Sequence, residues 1–243
     1  MNLIAYLKLI IRARKYRYRN DPGEIAYLFS KIKKGDKVFD IGAHKGAYLF
    51  YMSKLVGKSG KVYAFEPQSI LYKYLLTLKG LFSSEIIIEN LALSDSSKEQ
   101  VLNIPSHKNE NKSSPGASLS NNFVGQKIIK TEFIQSISLD EYCRRSNIRP
   151  DFLKIDVEGH ELEVLKGAEE ILKSYKPGLL VEIEERHIGL EKLNETINFL
   201  LSLGYNGYFF KGKDKLPVSE FNPVLHQNPV SKPYCNNFVF EYI

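Results

Sequence analysis

Val38-Phe39-Asp40-Ile41-Gly42-Ala43-His44-Lys45-Gly46-Ala47-Tyr48 is the stretch from which the rest of the chain is read. Apolar and aromatic residues surround a single acid, and two glycines follow. That order is the order of a buried strand, a tight turn and the first residues of a helix. Glycines in such a turn let the backbone approach a bound molecule, and the helix N-terminus offers free N–H groups and the positive end of a dipole. A second strand, Lys61–Phe65, ends in Glu66, 26 positions after Asp40. An acid at the tip of the second strand suits a ribose diol. Together the two strand tips predict a nucleoside-containing cofactor lying across them.

The following segments continue the pattern. A helix is expected over Ala47–Val56, a turn at Gly57-Lys58-Ser59-Gly60, a helix over Ile70–Leu81 and a third buried strand at Ile86–Asn90. This β-α-β-α-β run is the first half of a doubly wound sheet. Upstream, Ala26, Phe29 and Ile32 are spaced for one helical face before the turn at Gly35-Asp36. Residues 105–126 interrupt the pattern with Ser, Asn, Pro and Gly, and a loop this long inside a compact domain is either disordered or a lid. Its flanks, Val101–Ile104 and Ile128–Ile134, are expected to pair as a hairpin. Ser138-Leu139-Asp140-Glu141 is a capping box that starts a short helix. A fourth strand leads from Pro150 to Asp156, and a helix over Glu161–Tyr175 sets Leu162, Leu165, Ala168 and Leu172 on one face. A fifth strand covers Leu179–Ile183. Leu193, Ile197, Leu200 and Leu201 mark a further helix stopped by Gly204, and Tyr205–Phe210 and Asn237–Tyr242 read as closing strands. No repeat or linker interrupts the chain, so one α/β domain over residues 25–243 is expected, preceded by an arm over 1–24.

Composition narrows the function classes. The chain has 243 residues, enough for one large core. Two cysteines, Cys143 and Cys235, stand far apart, which speaks against a disulfide framework or a thiolate zinc site and for a reducing, cytoplasmic compartment. The net charge is +6, and six of the 34 Lys and Arg fall in residues 1–20, where there is no acid; the other 28 balance the 28 Asp and Glu. The basic character therefore belongs to one arm, which argues against nucleic acid as a partner, since that needs a basic face on the folded body. The apolar run Leu3–Ile11 is too short to span a bilayer and has no small-residue cleavage site. Docking of this arm on protein, either its own domain or a second subunit, is favoured over contact with anionic lipid.

The turn after the first strand departs from the Gly-x-Gly-x-x-Gly of dinucleotide folds: His44 stands at the second glycine and Ala47 at the third. A side chain there crowds a pyrophosphate, and an acid just before the turn suits an ammonium group. S-adenosylmethionine, with a cationic amine, a sulfonium and a ribose diol, meets both conditions. Against it stands the reading of a glycine turn with no ligand. Asp40 is the candidate for its amine, Glu66 for the ribose diol and Ala92, in Asn90-Leu91-Ala92, for the adenine neighbourhood; Gly42, Ala43, His44, Gly46, Tyr48, Pro67 and Asp156 complete the candidate cofactor-binding set.

A second cluster, Asp156-Val157-Glu158-Gly159-His160-Glu161, crowds the end of strand four, beside strand one at the switch in strand order. Grouped carboxylates raise one another's pKa and make candidate bases; they are also ligands for a divalent metal. Asp156, Glu158 and His160 are the catalytic candidates, while His160 and Glu161 also read as an ordinary helix start. Glu182, Glu184, Glu185 and His187, after strand five, are candidates to reach the same crevice.

These motifs, together with Val62–Pro67, Ala92-Leu93-Ser94-Asp95, Phe152–Glu161, Val164-Leu165-Lys166-Gly167-Ala168 and Leu203-Gly204-Tyr205, resemble the FkbM family of S-adenosylmethionine-dependent methyltransferases over roughly residues 25–210. The resemblance implies a class I, Rossmann-like sheet of about seven mostly parallel strands with one antiparallel strand near an edge. It also implies methyl transfer to a hydroxyl of a sugar, glycan or related acceptor, with Asp156 facing methyl group and acceptor. Two other readings stand beside it. One is a catalytically silent binding protein that works through its basic arm, and the other, disfavoured by the missing glycines, is a dinucleotide oxidoreductase.

Overall fold

The computed structural model describes residues 3–105, 116–119, 128–230 and 232–242. The arm is helix α1 (Leu3–Lys15), run on through a π-helical turn, Tyr16–Asn20, into α2 (Pro22–Lys31). Then follow β1 (Lys37–Ile41), α3 (Ala47–Val56), β2 (Lys61–Phe65), α4 (Ser69–Leu78) and β3 (Glu85–Glu89). After them come β4 (Ala92–Leu93), β5 (Lys98–Pro105), β6 (Ile128–Ile137), α5 (Leu139–Ser146) and β7 (Phe152–Ile155). The C-terminal part comprises α6 (Glu161–Lys166), α7 (Glu169–Ser174), β8 (Gly178–Glu182), α8 (Glu185–Ser202), β9 (Asn206–Lys211), β10 (Asp214–Pro217), α9 (Pro223–His226) and β11 (Asn237–Glu241).

The main sheet has eight strands in the order β10-β9-β11-β8-β7-β1-β2-β3. β3, β2, β1, β7 and β8 run parallel, and β11 runs antiparallel between β8 and β9. The expected doubly wound, mostly parallel sheet is present, with one strand more than expected. The extra strand, β10, turns back on β9 at Gly212-Lys213, and its residues are exposed or half-buried, so it has no apolar pattern by which to be read. A second sheet, β4-β6-β5, contains the expected hairpin as the antiparallel pair β5–β6.

The chain winds outward from β1 to β3 and returns beside β1 as β7, so the crevice for a ligand opens at the tips of β1 and β7. Alternation along the strands decides what faces it. Val38 belongs to the core on the side of α1–α4, and Phe39 and Ile41 to the core on the other side. Phe39 stacks on Tyr63 and Phe65, with Tyr142 of α5 edge-on. The arm docks on the domain through Ala5, Leu9 and Ala13, buried with Leu49 and Met52 of α3 and Leu75 of α4.

Two local expectations fail. Helix α2 buries Ile25 and Leu28, and Ile32 is buried just past its end, whereas Ala26 and Phe29 are exposed; Phe29 lies instead beneath the Arg17 guanidinium, 4.7 Å from its ring centre. The helix expected over Glu161–Tyr175 is two helices. They break at Gly167 because the Ser94 backbone passes there: a Cβ at Gly167 would lie 2.0 Å from Ser94 O. No helix of the described residues is long and apolar enough to cross a membrane.

Candidate active site

Gly42 closes the end of β1 with φ 80°, a value that favours glycine, and a Cβ there would sit 1.8 Å from Asp156 O. The tips of β1 and β7 are thus in backbone contact, and Asp156 N–H donates to Ile41 O at 3.0 Å. The Gly42 and Ala43 N–H groups donate to Phe65 O, so the turn also grips the tip of β2. His44 takes a positive φ of 47°, and Gly46, at φ 76°, caps α3.

A cavity with about 780 Å³ of space, part of it open to solvent, lies over these tips. Of the residues singled out from the sequence, Gly42, His44, Glu66, Pro67, Ala92, Asp156, Glu158 and His160 line it. Asp40, Ala43 and Tyr48 do not. They line, with His44, an adjoining recess of about 280 Å³. Alternation accounts for the split, since Asp40 points to the same face as Val38, toward α3. Gly46 lies in neither wall and packs against Leu75 and Leu9.

Glu66 is buried and fixed by two backbone donors: His44 N–H gives to Oε2 at 2.8 Å and Gln68 N–H to Oε1 at 2.9 Å. Burial pushes its carboxyl up to about 7, against the lowering effect of those two bonds. Each oxygen of a carboxylate has a second lone pair, so it can still accept from a hydroxyl in the cavity. The Asn90 side chain donates to Glu66 O and Pro67 O, each at 2.9 Å, and holds the tip of β2 in place.

Lys154 is the residue that sequence reading passed over. It stands opposite Asp40 in the β1–β7 register, on the α3 face of the sheet, and is buried. Its ammonium lies 2.8 Å from Asp156 Oδ2, 3.7 Å from Asp40 Oδ1 and 5.1 Å from the centre of the Tyr48 ring. Asp40 is fully buried, and burial raises its carboxyl even though the Lys154 charge opposes the rise. The signal was available: Lys154 is a lone cation in an otherwise apolar buried strand, and such a charge requires a buried partner.

At the rim of β7, Asp156, Glu158 and Glu182 each offer a carboxyl oxygen within 4.8 Å of the others. Their states diverge. Burial would raise Asp156, but the Lys154 charge and a hydrogen bond from Glu182 outweigh it and hold the carboxyl low. Glu182 is driven well above the usual range by burial and by the Asp156 charge, so it keeps the proton it shares. Glu158, with φ 56°, is pushed up to about 9 by burial and by the charges of Asp156, Glu161 and Glu184. Two protons or one divalent cation would relieve this crowding. Glu161 Oε1 accepts from Val157 N–H at 3.1 Å and Gly159 N–H at 3.0 Å, which clamps the loop that carries the cluster.

His160 lines the cavity. Its Nε2 lies 2.9 Å from Ser94 Oγ and its Nδ1 3.5 Å from Glu163 Oε2, and burial lowers its pKa, so the ring is neutral at pH 7. His44 is lowered further, to about 4, by burial and by Lys45. His187 reaches the cluster from α8, 3.5 Å from Glu158 and 3.3 Å from Glu184. Glu184 is also gripped by Arg186 at 2.7 Å.

The remaining walls come from distant segments. Tyr16 enters from the arm, and Leu102, Ala117, Ser118 and Leu119 enter from β5 and from the stretch expected to form a lid. The rest of that stretch, residues 106–115 and 120–126, lies outside the described residues.

The family described as "Methyltransferase FkbM domain" matches residues 40–206. The hexuronic acid methyltransferase AglP of Haloferax volcanii is 29% identical over 185 residues, covering 74% of this chain and 70% of AglP. The crystal structure of an FkbM methyltransferase from Methylobacillus flagellatus aligns with a TM-score of 0.54 at 18% identity, over 99% of this chain and 59% of that one. This chain therefore spans less than two thirds of that protein's length. Aeropyrum pernix fibrillarin, solved with natively bound S-adenosyl-L-methionine, aligns with a TM-score of 0.50 at 16% identity, covering 90% of this chain and 73% of its own. At these identities the structural likenesses speak for the fold.

Proposed function

This chain belongs to the FkbM methyltransferase family, and on that premise we propose that it moves a methyl group from S-adenosylmethionine to a hydroxyl of a sugar or glycan. The observation that carries the reading is one cavity walled by a glycine turn at Gly42, a buried acid at Glu66 and an ionised acid at Asp156. The residues present fit the cofactor. Gly42 and His44 bring the backbone of the turn to the cavity wall, and Glu66 beside them keeps accepting capacity toward a diol. Bound there, the cofactor supplies a methyl group already activated on a sulfonium.

The protein's own work is then alignment and proton management. Asp156, held ionised by Lys154, receives the proton of the acceptor hydroxyl. Glu158, protonated at neutral pH, donates a hydrogen bond that orients the acceptor. His160, neutral, supplies a second polar contact on the same wall. Asp40 acts one step back, as the counter-charge that keeps Lys154 in place. A uronic acid or related sugar is the acceptor class to try first, because the relative AglP is a hexuronic acid methyltransferase.

Calorimetry with S-adenosylhomocysteine, followed by incubation of labelled cofactor with a panel of hexose and hexuronic acid glycosides, tests the reading. Glu66→Ala is expected to weaken cofactor-product binding by about 10- to 100-fold, the range for a hydrogen bond to a charged group. No binding by the wild type, or equal binding by the variant, would overturn it.

A further inference from the structure

Helix α1 has two working faces, and only one is accounted for by the domain. At about 100° per residue, Ala5, Leu9 and Ala13 fall on one side and are buried against α3. On the opposite side Ile4 is 67% exposed, Leu7 51% and Ile11 67%. Arg14 flanks this stripe on one edge and Lys8 and Lys15 on the other, all three exposed. The same surface continues through Arg17, Arg19 and Tyr18, which is 69% exposed. Isolated apolar residues on a surface need no explanation, but an apolar stripe edged by cations at helical spacing does.

We propose that this face docks the protein on an anionic lipid bilayer, lying in the interface plane with Ile4, Leu7 and Ile11 pressed among the acyl chains. The charge distribution selects the occupant. All of the net +6 resides in residues 1–20, where there is no acid, and the rest of the chain is neutral. A negative surface is therefore attracted to the arm alone. A second copy of the chain is disfavoured, because a twofold contact through α1 would bring two such arms together. Nucleic acid would use the Lys and Arg but leave Ile4, Leu7 and Ile11 without a role. At 13 residues the helix is too short to span, which leaves the interface. The reading goes beyond methyl transfer and stands independently of it.

Co-sedimentation of the whole chain with phosphatidylcholine vesicles, with and without phosphatidylglycerol, tests it. Binding is expected only with the anionic lipid. Leu7→Ser combined with Ile11→Ser should cost about tenfold or more in partitioning, through lost apolar contact. Lys8→Gln combined with Lys15→Gln should cost about fivefold per charge removed. Because all four side chains are exposed, circular dichroism and S-adenosylhomocysteine binding should not change, which separates failure of this proposal from failure of the proposed activity. Equal binding to neutral vesicles, or no loss in either variant, would overturn it. So would a concentration-dependent dimer in light scattering that the serine pair abolishes, or capture by homopolymeric RNA lost only in the lysine variant.

Discussion

The two sides of the cavity are built in different ways. One side, from Gly42 through Glu66 to Asp156, comes from three strand tips fastened to one another by backbone hydrogen bonds. Its parts sit next to a strand end in sequence, so each announces itself locally. The other side is assembled from Tyr16 of the arm, Leu102 of β5 and residues 117–119. Those residues are separated by most of the N-terminal half of the chain and carry no shared motif. The strand-tip side admits almost no substitution, because backbone meets backbone there. The assembled side consists of side chains brought together from separate segments, so a substitution there meets no backbone contact between strand tips, and under the proposed function it is the side expected to carry acceptor preference.

Gly42→Ala should give the largest effect of all and tests the rigid side directly. A Cβ would lie 1.8 Å from Asp156 O and 2.9 Å from Asp156 C, both backbone atoms that cannot rotate away. Added to the cost of φ 80°, we expect a loss above about 4 kcal/mol, enough to prevent accumulation of folded protein. Gly189→Ala is the control: nothing lies within 4 Å of the new Cβ, so only the backbone strain of φ 76°, ψ 163°, about 1–3 kcal/mol, should be lost. Thermal or urea unfolding of the pair measures the difference. Similar losses in both would show that backbone strain, and not the contact between strand tips, is what Gly42 answers.

The same contrast explains what was legible beforehand. β1, α3 and β2 could be read because Gly42, Gly46, Gly57 and Gly60 punctuate apolar runs, and the observed ends fall where the punctuation does. Most cavity residues near strand tips were visible for the same reason. Nearness to the turn makes Asp40 read as a residue of the cavity, whereas alternation along the strand turns it to the adjoining recess. Lys154 stands out in the sequence as a lone cation in an apolar strand, but which buried acid it pairs with depends on the register that sets it opposite Asp40. The break at Gly167 and the entry of Tyr16 both depend on contacts between segments far apart in sequence, Ser94 in one case and the cavity in the other. Periodicity carries no information about either.

Lys154→Met sharpens the account of the rigid side, with a smaller effect and a definite pH signature. Removing a buried cation leaves Asp40 and Asp156 without their partner, which costs about 3 kcal/mol at neutral pH. The sign with pH follows from linkage. In the wild type Asp156 is held low by Lys154, so its contribution is present above the unfolded carboxyl range and fades only as pH falls through its depressed value. In the wild type burial already raises Asp40; in the variant Asp40 is raised further and Asp156 loses the Lys154 charge that held it low. More carboxyl must ionise inside the fold as pH rises, so stability falls with rising pH more steeply than in the wild type. The deficit should therefore be large at pH 7.5 and shrink toward pH 4.5 as both carboxyls take up protons. An equal deficit at both pH values, measured by thermal unfolding, would assign the loss to packing around the methionine and not to charge.

Tyr16→Ala probes the assembled side and should have the smallest effect. Tyr16 is half-buried, stands edge-on to Tyr48 with ring centres 5.8 Å apart, and has its hydroxyl raised by burial and by the charges of Asp21 and Asp156. It belongs to the cavity wall but not to the strand tips, so its loss should fall on the acceptor and spare the cofactor. Steady-state kinetics with a reactive glycoside should show KM for the acceptor rising about tenfold, the value of roughly one good contact, with cofactor KM changing less than twofold. Rescue by Tyr16→Phe would assign the contact to the ring, and no rescue would assign it to the hydroxyl. If cofactor KM rises instead, the arm helps to build the cofactor's side, and the division between a rigid wall set by strand tips and an adaptable wall set by distant segments does not hold at its best-defined point.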